Sequence, residues 1–111
     1  MAASSTNSLV LSIIAAVAIA QFRAVNAAGA LPTAGATSLG IAQHGAAIGE
    51  PVPVVVLGTA IGEAGAAVAV GALLETDAAG RFITRAAGAI VGRSLTAGAL
   101  GDQLEIFLIP N

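Results

Sequence analysis

Ile48-Gly49-Glu50-Pro51-Val52-Pro53-Val54-Val55-Val56-Leu57 is answered 52 residues later by Leu100-Gly101-Asp102-Gln103-Leu104-Glu105-Ile106-Phe107-Leu108-Ile109. Both stretches run aliphatic residue, glycine, carboxylate, apolar strand. Leu39-Gly40 recurs as Val91-Gly92 at the same spacing, and Asn26-Ala27-Ala28-Gly29 recurs as Asp77-Ala78-Ala79-Gly80 at 51. With 28 Ala and 14 Gly among 111 residues, chance matches are common. Composition alone would rarely keep a Gly-carboxylate-strand element in register, so the pattern is read as two copies of one supersecondary unit. The expected fold is all-β, a small antiparallel barrel or sandwich built from two related strand units. The organisation that goes with it is an N-terminal arm or edge strand at 1–18 and a single β domain at 19–111 containing the repeat, about 20–57 and 71–109.

Short runs of Val, Ile and Leu punctuated by Gly or Pro predict strands near 9–14, 19–25, 39–43, 52–61, 68–75, 81–85, 90–95 and 103–109. Leu73 to Thr84 reads as a hairpin, with Asp77 and Gly80 where the turn needs them. Ile61 to Ala72 is Ala-rich enough for a helix, but Gly62, Gly65 and Gly71 would each cost about 1 kcal/mol in its interior, so a meandering strand is preferred. Gly40, Gly49, Gly92 and Gly101 flank strand ends in both units and mark positions of positive φ or close backbone approach. Glu50 and Asp102, each following a turn glycine, are suited to accept N–H bonds from that turn, a metal or catalytic pair being the lesser reading. Pro51 and Pro53 bracket Val52, which predicts an edge at the start of that strand.

Composition narrows the possible functions. The core material is thin: Leu, Ile, Val and Phe total 34, only Phe22, Phe82 and Phe107 are aromatic, and Trp, Tyr, Cys and Lys are absent. A chain 57% hydrophobic and 9% charged leaves apolar surface for a partner to cover, so self-association is the default. Without cysteine there is no disulfide and no thiolate chemistry. Four scattered Arg and a net charge of -2 give no phosphate-neutralising patch, and the missing Tyr and Trp remove base-stacking platforms, so no nucleic-acid binding is expected. The apolar run Leu9 to Ala20 is too short to span a bilayer, which takes about 20 residues, and no membrane partner is expected. No Lys or Arg precedes it, as a signal peptide would require, although Ala18-Ile19-Ala20 resembles a cleavage site and keeps a secreted or periplasmic protein with a cleaved leader as the alternative.

Catalytic chemistry finds little support. His44, in Gln43-His44-Gly45, is the lone histidine and reads as a solvated turn residue. Gly92-Arg93-Ser94 is not a nucleophile elbow, a P-loop needs a lysine, and Glu75-Thr76-Asp77 lacks the rest of a calcium loop. No catalytic, cofactor-binding or metal residue is assigned, and no enzyme activity. Arg81 and Arg85 are expected to share one face of a strand, solvated or paired with carboxylates of another subunit.

From about Ala20 onward the chain resembles the head decoration, or capsid cement, proteins of tailed bacteriophages. The resemblance rests on Gln21-Phe22-Arg23-Ala24-Val25 with the Asn26 to Gly29 turn, Leu39-Gly40-Ile41-Ala42, Val56-Leu57-Gly58-Thr59-Ala60 and Glu63-Ala64-Gly65-Ala66-Ala67. It continues through Glu75 to Arg81, Val91-Gly92-Arg93-Ser94-Leu95 and the ending Gly101 to Asn111. It implies a non-enzymatic β-rich virion protein, without cofactor, that decorates and stabilises the outer capsid surface. The implied partners are the major capsid protein and other copies of itself, as a trimer before a dimer. Such a protein is made in the bacterial host cytoplasm and ends in the virion.

Overall fold

The computed structural model describes residues 6–111; the first five residues of the segment expected at 1–18 lie outside it. Eight strands follow in chain order: β1 (Asn7–Ile14), β2 (Ala24–Val25), β3 (Gly40–Ala42), β4 (Pro51–Glu63), β5 (Leu73–Thr76), β6 (Phe82–Thr84), β7 (Gly92–Ser94) and β8 (Gln103–Leu108). They form one sheet in the order β2-β3-β4-β8-β7-β5-β6, with β1 added on β4, and every strand pair is antiparallel. Ala64, just past β4, bridges to Phe82 in β6, so the sheet curls round into a nearly closed barrel. The all-β expectation holds, and residues 61–72 form no helix.

Two of the expected strands are shorter than their apolar runs. The run expected at 19–25 contributes only β2 and an isolated bridge from Ile19 to Ala46; that expected at 68–75 is a bridge from Val68 to Gly98, a turn, and then β5. The Leu73–Thr84 hairpin forms as expected, with Asp77 Oδ1 accepting the N–H groups of Ala79 and Arg81 at 2.9 Å each. The start of β4 is an edge on one side, as its prolines predict: β1 pairs with residues 51–58, but β3 reaches only Val54 and Val55. Pro53 C=O accepts from Gln43 N at 2.9 Å, so its missing N–H faces that same open side, beyond the end of the three-residue β3, where Gln43 C=O accepts from Gln21 Nε2 at 3.0 Å instead.

Backbone hydrogen bonds of the first half recur in the second. Ile19 and Ala46 exchange N–H···O=C bonds, as do Val68 and Gly98. Ala15 N donates to Glu50 C=O and Gly49 N to Ala15 C=O; Ala64 N donates to Asp102 C=O and Gly101 N to Ala64 C=O. Phe22 N donates to Ala42 C=O, as Gly71 N does to Ser94 C=O, and Leu39 N to Val25 C=O, as Val91 N does to Leu74 C=O. Residues 39–57 thus correspond to 91–109 at the 52-residue spacing, whereas residues 14–25 correspond to 63–74 at a spacing of 49. It follows that β1 corresponds to the second half of β4, and β4 is at once the last strand of the first unit and the first strand of the second.

Two apolar clusters fill the interior. Ala24, Ile41 and Val55 join the larger one with Phe82, Leu74, Leu104 and Ile106, while their neighbours Val25, Ala42 and Val54 join Ala15, Ile19 and Val52 in the other. Successive residues point to opposite faces of a strand, so β2, β3 and the start of β4 are buried on both sides, which is why Val52 to Val56 is an unbroken apolar run. A Cβ at Gly62 would meet the ring of Phe82 at 2.7 Å, so the one fully buried aromatic is seated by a glycine.

The repeated glycines do two jobs. Gly49 (φ 86°) and Gly101 (φ 85°) occupy the third position of turns closed by Glu50 N to Ala47 C=O and Asp102 N to Ala99 C=O, the type II geometry that requires positive φ. Gly40 and Gly92 lie in strands, where an added Cβ would collide with the Val55 and Phe107 carbonyls, themselves 52 residues apart. The two kinds separate in urea denaturation. Gly40→Ala or Gly92→Ala is expected to cost about 3 kcal/mol or more through forced strand separation, and Gly101→Ala, which meets nothing within 4 Å, only the left-handed penalty of about 1–2 kcal/mol.

Candidate functional site

The residues that sequence reading singled out are not brought together. His44 is exposed in its turn, and among the described residues no group of three or more His, Asp or Glu could hold a metal ion. Glu50 Oε1 accepts Ala47 N at 2.7 Å, and Asp102 Oδ2 accepts Ala99 N at 2.9 Å. The two carboxylates brace equivalent turns, each spending its charge on its own backbone. Arg81 and Arg85 do not share a strand face, because β6 spans only Phe82–Thr84 between them. Half-buried Arg81 turns to Glu63, and exposed Arg85 donates from Nε to Gly88 C=O at 2.9 Å.

Two carboxylates carry more weight than the sequence suggested. Glu63, at the end of β4, has Oε2 3.3 Å from Arg23 Nη2 and 3.0 Å from Arg81 Nε, and Arg23 Nη1 donates to Ala79 C=O at 2.9 Å. One carboxylate therefore ties an arginine of the first unit to one of the second, all three side chains being a fifth to a third exposed. Glu75 in β5 is buried, and its oxygens accept Ala86 N at 3.0 Å and Gly88 N at 2.7 Å, clamping the loop after β6. Gly88 leaves no room for a Cβ between that carboxylate and Gly35. The visible signal for Glu75 was a carboxylate inside Leu73-Leu74-Glu75-Thr76, where a strand is otherwise inward-facing.

Concavities are shallow and lack converging chemistry. A groove of about 340 Å³ is lined by Glu75, Thr76 and the loop 86–88, and the Glu75 oxygens there already hold two N–H groups. What the surface does offer is aliphatic. Ile48, Val70 and Leu100 stand 72%, 67% and 63% exposed at the tips of turns, and Ile14, Val10 and Leu9 of β1 are exposed as well. The arrangement spends its polar groups on turns and ion pairs within the chain and presents apolar side chains outward, as a structural binding protein does.

The comparisons agree with that class. Residues 3–109 match the family model for phage cement protein, and the chain belongs to that family, whose members are structural, non-enzymatic components of the phage head. The fold is similar to the head fiber gp8.5 N base of bacteriophage phi29, with a TM-score of 0.77 and 14% sequence identity over 91% of this chain and 93% of that one. No curated protein matches the chain.

The inter-unit ion pair and the loop clamp can be tested by thermal or urea unfolding. Glu75→Ala leaves two backbone N–H groups without acceptors and is expected to destabilise by about 2–4 kcal/mol, since each orphaned group costs about 1–3. Glu63→Ala, in a partly solvated triad, is expected to cost less, about 1–2 kcal/mol, and Arg85→Ala close to nothing.

Proposed function

We propose that this chain sits on the outer surface of an assembled phage head, held by non-covalent contacts with the major capsid protein, and stabilises the shell as a homo-oligomer, a trimer before a dimer. It is made in the cytoplasm of the bacterial host and carried in the virion. Family membership carries this reading, since a cement protein acts by binding capsid. The exposed aliphatic side chains support it: about 25 cal/mol is gained per Å² of apolar surface covered, and a head surface can supply the cover. The alternative of a cleaved leader is disfavoured by what cleavage before Gln21 would remove. It would take away β1 and, with it, Ala15 and Ile19, two of the six buried residues of the second apolar cluster.

Purified protein mixed with heads stripped of their decoration should pellet with them in a saturable, fixed ratio to the major capsid subunit and raise the temperature at which the heads rupture. Protein that stays in the supernatant at every concentration would sink the proposal.

A further inference from the structure

The joint between the two units predicts a second joint between molecules. Within the chain, the outer side of the second half of β4 is capped by the first unit: Glu63 N donates to Phe22 C=O at 3.1 Å, Thr59 N donates to Thr6 C=O at 2.8 Å, and Arg23 pairs with Glu63. By the hydrogen-bond correspondence, Glu63 is equivalent to Ile14, Phe22 to Gly71, Arg23 to Ala72 and Gln21 to Val70. The strand equivalent to that half of β4 is β1, which among the described residues pairs with a strand on one edge only, that of β4. It carries no charge and no proline, its register shifts are confined to Asn7–Val10, and Ile14 at the regular end is 59% exposed. The surface equivalent to the capping corner is likewise free: Val70 is 67% exposed, and a groove of about 370 Å³ lies between Val70, Leu95, Thr96 and Ala97.

The chemistry differs between the two joints in a concerted way. Where the internal joint matches Glu63 to Arg23 beside Gln21 and Gln43, the free surfaces present Ile14 on one side and, on the other, Val70 and Leu95 beside half-buried Ala72. Both halves of the ion pair are replaced by apolar residues together, so the two free surfaces suit each other.

We infer that the β1 edge of one molecule docks on the Val70–Ala72 corner of a second copy, repeating between molecules the contact that joins the units within one. The two surfaces are different patches, so the association is head-to-tail, and the closed form of such an association is a ring. On docking, Gly71 C=O exchanges its exposed bond from Arg93 Nη1 for the neighbour's β1 edge. The inference takes from the proposed function only that the chain is a homo-oligomer.

The cysteine-free chain allows a direct test. Protein carrying Ile14→Cys and Val70→Cys, treated with a short bis-maleimide, should give covalent oligomers that stop at the ring size, while either single variant gives none. Ile14→Glu, on an exposed side chain, should raise the dissociation midpoint in sedimentation at least tenfold with an unchanged circular dichroism spectrum, and Ile14→Glu with Ala72→Arg should recover most of that loss. Cross-linking of the Ile14→Cys variant alone into dimers would show a two-fold β1 to β1 pairing and overturn the inference, as would an oligomer indifferent to Ile14→Glu. A wild-type protein monomeric both in solution and on heads would overturn the oligomer reading itself.

Discussion

The structure depends on a single long strand serving two masters. β4 is hydrogen-bonded to β1 and β3 over its first half and to β8 over its second, so the end of one unit is covalently and geometrically the start of the next. An independent second unit would need its own first strand and would expose a further sheet edge. Sharing β4 removes that edge and lets a chain with few large side chains close most of a barrel. Gly58 (φ 91°) lies where the strand passes from one set of partners to the other, and its backbone would place a Cβ against Thr6 C=O.

Close approach follows from the same economy. With Phe82 the one fully buried aromatic, the interior is filled by drawing strands together over Ala and Gly. At Gly40 and Gly92 the adjacent strand's carbonyls come so near that no side chain fits, and at Gly62 the Phe82 ring takes the space. Dispersion gained from many close backbone contacts offsets what the small side chains cannot supply. Polar groups then have little room for chemistry: Glu50, Asp77 and Asp102 hold turns, Glu75 holds a loop, and Glu63 holds the units together.

What was legible in the sequence was what backbone geometry forces onto residue type. Glycine at positive φ, a turn-capping carboxylate and the apolar strand after it announced the 52-residue repeat. The 49-residue correspondence was hidden because backbone hydrogen bonds alone define it: Phe22 (φ 66°) and Gly71 (φ 84°) sit at the same place with unlike side chains, as do Ile14 and Glu63. The prolines marked the side of β4 that β3 leaves open, because a missing N–H is tolerated where no ladder partner faces it. Arg81 and Arg85 misled because β6 is only three residues long, so alternation does not extend to its flanks.

A fold specified mainly by backbone constraints should tolerate wide drift in side chains. The likeness to the phi29 head fiber base, a TM-score of 0.77 at 14% identity, is of that kind. Drift is not uniform, however. Positions inside a joint must change in matched pairs, because a half-buried Glu63 without its arginines would leave a charge uncompensated. Surfaces facing outward are free to trade that ion pair for aliphatic contact. The two units of this chain have taken those different courses at equivalent positions, polar where one unit meets the other and apolar where each meets what lies outside the chain.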